Sequence, residues 1–160
     1  MSIACVQFAS RELAESLSGN SRTAVISITD PGSPEAKLNP RFRAVLRLSF
    51  FDAIPADEYM PPLPGLFNRE MAQRIDNFVS GVQARPFEIS MMVHCEYGVS
   101  RSAAVALFVE AVSGAPLEAR EFTYEANPWV LDQLLTLRPA LSIEIPSRSA
   151  ACERRVQRRA

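Results

Sequence analysis

The chain has 160 residues, 48% hydrophobic and 22% charged, with a formal net charge of −1. These are the values of an ordinary globular domain long enough to bury a core, and the near-neutral balance argues against nucleic acid as the main partner, since such domains carry a basic excess. No apolar run approaches the roughly 20 residues needed to cross a bilayer, and the N-terminal MSIACVQFASRELAE lacks the basic start of a secretory signal.

In chain order, the first strand is expected at 3–8 (IACVQF). Ser10 is then placed to cap a short helix, RELAESL, that ends at Ser18-Gly19-Asn20. Further strands are expected at 23–29 (TAVISIT) and 44–50 (AVLRLSF), both short and rich in apolar or β-branched residues. A proline-rich loop follows, DAIPADEYMPPLPG (52–65), with four prolines and three acidic residues. It reads either as a surface connection or as a functional loop, since loops of this length in compact domains are often functional.

Residues 66–83 predict a helix with Met71, Ile75, Phe78, Val79 and Val82 on one face. A buried strand is expected at 88–94 (EISMMVH), and a nearly all-apolar, hence buried, helix at 101–113 (RSAAVALFVEAVS), stopped by Gly114 and Pro116. Two more helices are expected at 117–126 and 129–138, separated by Asn127-Pro128. The alternation predicts an α/β fold: a central, mostly parallel sheet of about four or five strands flanked by helices. Residues 1–150 are expected to form one domain. Residues 151–160, with the basic run ERRVQRRA, are expected to be a frayed tail.

Three cysteines, Cys5, Cys95 and Cys152, are an odd and scattered set. They make a poor disulfide framework and predict a reduced, cytoplasmic setting. One of them lies in the most unusual stretch of the chain, HCEYGVSRS at 94–102, beside the only histidine.

A strand ending at His94 and a helix beginning near Arg101 would leave the backbone amides between them free to turn inward. Gly98 permits the unusual dihedrals this needs, and the helix N-terminus adds its positive end, so the loop can cradle an anion. The same field favours the thiolate of Cys95. Arg101 can grip two oxygens of a phosphate in a bidentate fork.

Other chemistries fit less well. Adjacent His94 and Cys95 cannot easily share one metal ion, and no further Cys or His pair completes a shell. The loop ends in Ser102 where a nucleophile elbow of the hydrolase type needs glycine, and it lacks the lysine of a Walker loop. The bland alternative is an inert buried cysteine beside a satisfied core histidine.

The stretch VHCEYGVSRSAA resembles the signature loop of the cysteine-dependent protein tyrosine phosphatases, His-Cys-x5-Arg-Ser/Thr, and its Gly-x-Ser-Arg-Ser ending is most similar to the dual-specificity branch. The resemblance implies a dual-specificity-phosphatase-like fold and hydrolysis of phosphomonoesters through a phosphocysteine intermediate, with neither metal nor cofactor. Cys95 would be the nucleophile. Arg101 and the amides of Glu96, Tyr97, Gly98, Val99 and Ser100 would bind the phosphoryl group. Ser102 would help the sulfur leave, and His94 would order the loop.

The family also uses an aspartate as general acid on an upstream loop. Two aspartates of the proline-rich segment qualify, at a longer separation than is usual. Asp52, just past the third strand, is the favoured one and Asp57 the alternative. Asp76 lies in a predicted helix and is set aside. Glu96 adds negative charge beside the cradle and disfavours polyphosphorylated lipids, leaving a phosphorylated protein or small phosphorylated metabolite as the expected partner. Tyr97 is expected either to stack on a substrate ring or to pack against the proline-rich loop. Tyr59, Phe67 and Trp129 are possible walls of the cleft or members of the core. Two rival readings are a non-catalytic phosphate-binding domain without a placed acid, and an arsenate-reductase-like enzyme, which would call on a second cysteine.

Overall fold

Two strands are buried along almost their whole length, and they form the middle of the sheet. The computed structural model describes residues 2–56, 63–149 and 151. Within them β1 (Ile3–Ser10), β2 (Thr23–Thr29), β3 (Ala44–Ser49) and β4 (Ile89–Cys95) form one sheet in the order β1-β4-β2-β3. Every pairing is parallel. TAVISIT and ISMMVHC read as continuous apolar runs because helices cover both faces of the central β2 and β4. The edge strands β1 and β3 are mixed in burial.

One face packs on α2 (Arg69–Gln83), α3 (Arg101–Ser113) and α4 (Pro128–Leu137), with Ile26, Ile28, Val93, Val105, Leu107 and Leu134 among the core side chains. The other face carries a thinner cluster of Ala14, Val25, Phe42 and Met92, with Ala14 supplied by α1 (Arg11–Ser16). Residues Arg101 to Val109 of α3 are all buried, as its apolar sequence predicts. It ends at Gly114, which takes the left-handed conformation (φ 71°) and donates its N–H to Glu110 O. Ser10 caps α1 as expected, its Oγ accepting from Leu13 N at 3.2 Å.

Several boundaries differ from the sequence reading, among them β1, which runs on to Ser10, and β4, which spans Ile89–Cys95. The first helix stops at Ser16, earlier than expected. The helix expected from 66 begins at Arg69, because Asn68 caps it by accepting from Met71 N at 2.9 Å. The helix expected at 117–126 is a 3-10 helix confined to Arg120–Glu125. The residues before it serve the sheet instead. Val6 N donates to Pro116 O and Glu118 N donates to Val6 O, both at 2.9 Å, which pairs the open edge of β1 at Val6. Among the described residues no helix is long and apolar enough to cross a membrane.

A parallel sheet gathers the ends of its strands on one side, where ligands of open α/β folds bind. Here Cys95 closes β4, Asp30 follows β2, and Asp52 lies just past β3. Asn68→Ala should lower the unfolding free energy by about 1 kcal/mol in chemical denaturation, and Asn68→Asp should retain most of it.

Candidate active site

The loop between β4 and α3 is shaped by one close approach. Gly98 has φ +71°, and a Cβ built on it would lie 2.5 Å from both Ala9 C and Ser10 N. The loop therefore passes directly over the end of β1, at a distance that only glycine allows. Arg11 N donates to Glu96 O at 3.2 Å and pins the loop to the start of α1. With the loop so placed, Gly98 N donates to Cys95 Sγ at 3.3 Å, and Ser102 Oγ lies 3.1 Å from the same sulfur. Cys95 is buried, 3% exposed.

Arg101 is also buried and is held from one end. Its Nη1 donates to Asp30 Oδ1 and to the carbonyl of Phe50, each at 2.7 Å. Its Nε is buried and has no hydrogen-bond partner. A buried N–H left unpaired costs about 1–3 kcal/mol, more on a charged group.

Asp52 reaches the loop from the β3 side. Its Oδ1 accepts from Ser100 Oγ and from Asn127 Nδ2, each at 2.8 Å. Asn127 is 3% exposed; its Oδ1 accepts from Trp129 N and Val130 N and so caps α4 as well. Asp52, Cys95, Tyr97, Val99, Ser100, Arg101 and Glu125 line a single cavity of about 460 Å³.

His94 lies behind the loop, fully buried. Its Nε2 is 2.6 Å from Ser27 Oγ and its Nδ1 is 3.3 Å from the carbonyl of Cys95. A carbonyl can only accept, so Nδ1 carries the proton and Nε2 accepts from the Ser27 hydroxyl. Burial pushes the imidazole below its ordinary value, outweighing the upward pull of the Cys95 carbonyl.

The predicted site residues thus separate into two groups. Cys95, Arg101, Ser102, Ser100, Gly98 and Asp52 converge, and Val99 and Tyr97 stand at the mouth. Tyr97 is 82% exposed and packs into no core. The Glu96 side chain turns away from the Cys95 cavity toward Arg11, whose Nη1 is 3.6 Å from Glu96 Oε2. Phe67 belongs to the core, and Trp129 Nε1 donates to its carbonyl at 2.7 Å, so neither walls the cleft. Asp76 pairs with Arg138 at 2.8 Å. Asp57, Glu58 and Tyr59 lie outside the described residues.

Sequence reasoning missed Asp30, Ser27 and Glu125, and it read Asn127 only as a break between helices. Asp-Pro-Gly-Ser at 30–33 carries a turn signal, but nothing local marks Asp30 as the partner of Arg101. Asn127 before Pro128 is a recognisable cap, whereas its second bond, to Asp52, is visible only in three dimensions.

No protein-family model matches the chain, and no curated protein matches it either.

Two outcomes follow. Gly98→Ala forces the loop off the end of β1 and should cost at least about 1–2 kcal/mol of stability, since it adds a left-handed penalty to a backbone clash. His94 is the only histidine, and its pKa is lower folded than unfolded. Its stabilisation is therefore fully present above the unfolded value of about 6.5 and is lost as pH falls toward the folded value. Denaturation midpoints should drop across the unit of pH below about 6.5, and His94→Asn should flatten that slope.

Proposed function

We propose that the chain is a cysteine-dependent phosphomonoester hydrolase acting through a phosphocysteine intermediate. The observation that carries this reading is the pair at the floor of the cavity. Cys95 Sγ receives the Gly98 amide, and beside it a buried arginine keeps Nε free of any partner. A tetrahedral oxyanion satisfies that donor, and a thiolate beneath it is aimed at phosphorus.

In the first step the Cys95 sulfur attacks phosphorus and the ester P–O bond breaks. Asp52 gives its proton to the leaving oxygen. Both hydrogen bonds to Asp52 fall on Oδ1, so Oδ2 is the oxygen that carries the proton. The Arg101 guanidinium and the loop amides hold the three remaining phosphoryl oxygens. In the second step Asp52 takes a proton from water as that water attacks phosphorus, and the S–P bond breaks. Ser102 Oγ–H, 3.1 Å from the sulfur, donates to the departing thiolate.

The redox alternative has less support. Cys5 Sγ sits 3.3 Å from Ser90 Oγ, near the opposite end of the sheet. Ser90 and Cys95 are five residues apart on one strand, about 16 Å at ~3.3 Å per residue, far beyond the reach of a disulfide. Cys152 lies outside the described residues. Free Cys5 and Cys95 fit the proposed reducing, cytoplasmic setting. The open, exposed rim at Tyr97 and Val99 suits a phosphorylated protein or a small phosphorylated metabolite as substrate.

The test is hydrolysis of an aryl phosphate in the presence of a chelator. Wild type should turn over and Cys95→Ser should not. Asp52→Asn should lower kcat by about 10²–10⁴ and abolish the fall in rate at high pH, whereas Asp57→Asn should leave both unchanged. Phosphate binding without turnover by the wild type would identify a binding domain instead. Loss of the basic limb in Asp57→Asn alone would move the acid to that residue.

A further inference from the structure

Polar side chains also line up on the sheet away from the Cys95 cavity. Ser27 of β2 stands in register with His94 on one side and Arg47 on the other, and Thr29 stands opposite Ser49. Two positions earlier on the same face, Val25 is core. This face therefore turns from apolar to polar as it nears the carboxyl ends of the strands. The Ser27 hydroxyl is taken by His94. Ser27, Thr29, Arg47 and Ser49 line a cavity of about 370 Å³ together with Ser33 and with Met71 and Arg74 of α2. It shares no lining residue with the Cys95 cavity. The residues that follow Thr29 and Ser49 divide the two, because Asp30 and the Phe50 carbonyl bind Arg101 on the other side.

The charges in this second cavity do not balance. Arg47 and Arg74 face one carboxylate, Glu35, which is 3.4 Å from Arg47 Nε and 72% exposed. Arg47 Nη1 donates to Ala36 O at 3.0 Å and Arg74 Nη2 to Arg47 O at 3.1 Å. These carbonyls orient both guanidiniums and neutralise neither. An anion would meet planar forks suited to phosphate and take further bonds from the hydroxyls of Thr29, Ser33 and Ser49. The volume lies at the lower end of small-molecule sites, roughly 300–1,000 Å³.

We propose that this cavity is a second phosphate site, in which Arg47 and Arg74 hold the phosphate of a small molecule and the three hydroxyls complete its shell. The proposal does not depend on Cys95 being a nucleophile. The phosphate is either free or the head of a small ester, and the two sources share this chemistry.

The experiment is an NMR titration of the Cys95→Ser chain, which blocks turnover, with inorganic phosphate and separately with glycerol 3-phosphate. The backbone amides of Thr29, Ser33 and Ser49 should form a group that saturates independently of the amides of 96–101. Arg47→Gln or Arg74→Gln should weaken that group's response at least about tenfold and leave the loop's response in place. Glu35→Gln should strengthen it, a gain that a purely structural Arg47–Glu35 pair would not produce. Equal affinity for both ligands identifies free phosphate, and tighter binding of the ester identifies the larger molecule. Arg74 is on the surface, and each variant's amide spectrum reports its own folding. Still amides at 29, 33 and 49 when the loop is saturated would overturn the proposal. So would an unchanged response in both arginine variants. Movement of this group without the loop would leave the second site standing and remove the phosphatase reading.

Discussion

Arg101 is a guanidinium at 3% exposure, and a charge taken out of water must be paired or it costs several kcal/mol. Its two partners, Asp30 and the Phe50 carbonyl, follow the last residues of β2 and β3. One side chain from the start of α3 therefore ties the carboxyl ends of two strands to the loop that leaves a third. Phe50 lies two residues before Asp52. Fixing its carbonyl brings the carboxylate to the rim of the Cys95 loop, where Ser100 and Asn127 take hold of it. The clamp holds Arg101 in the fold by Nη1 and leaves Nε without a hydrogen-bond partner.

The same economy of position holds at Asn127. Its carbonyl oxygen caps α4 through Trp129 N and Val130 N, while its amide holds Asp52 and approaches Ala53 O. A helix cap alone contributes about 1 kcal/mol. Burial of the whole side chain among four hydrogen-bond partners makes the carboxylate's position a consequence of how α4 starts. Since Asn127 N also donates to Ser100 O at 3.1 Å, α3, α4 and the segment after β3 meet at one buried amide. The geometry around Asp52 thus follows from packing, although Asp52 itself is exposed.

Much of this was legible in the residues. The continuous apolar runs of β2 and β4, the buried α3 and the Ser10 cap follow from local pattern, and each is found at or near its expected place. The loop from His94 to Ser102 was also legible, because His, Cys, Gly, Arg and Ser at that spacing serve one geometry. What escaped were long-range satisfactions. Residues 116–118 read as the start of a helix, yet the open edge of β1 took their backbone groups. Asp30 went unread and Asn127 read only as a break between helices, because their bonds to Arg101 and Asp52 span 71 and 75 residues. Glu96 was placed by its neighbours in sequence, but Arg11 across the β1 end draws its carboxylate away from the cradle.

His94 and Ser27 show why the centre of an otherwise apolar sheet tolerates polar groups. Burying an imidazole and a hydroxyl without partners would cost roughly 1–3 kcal/mol each, and their mutual bond at 2.6 Å removes most of that cost. The carbonyl of Cys95, which can only accept, fixes the ring proton on Nδ1. Nδ1–H then faces the carbonyl of Cys95, so the ring orients the last peptide of β4 before the chain turns into the loop. An apolar pair of similar volume would pack as well and leave that peptide without its donor. The departure from apolar patterning occurs one residue before Cys95, where the chain turns from β4 into the loop and orientation of the backbone matters more than burial does to the core.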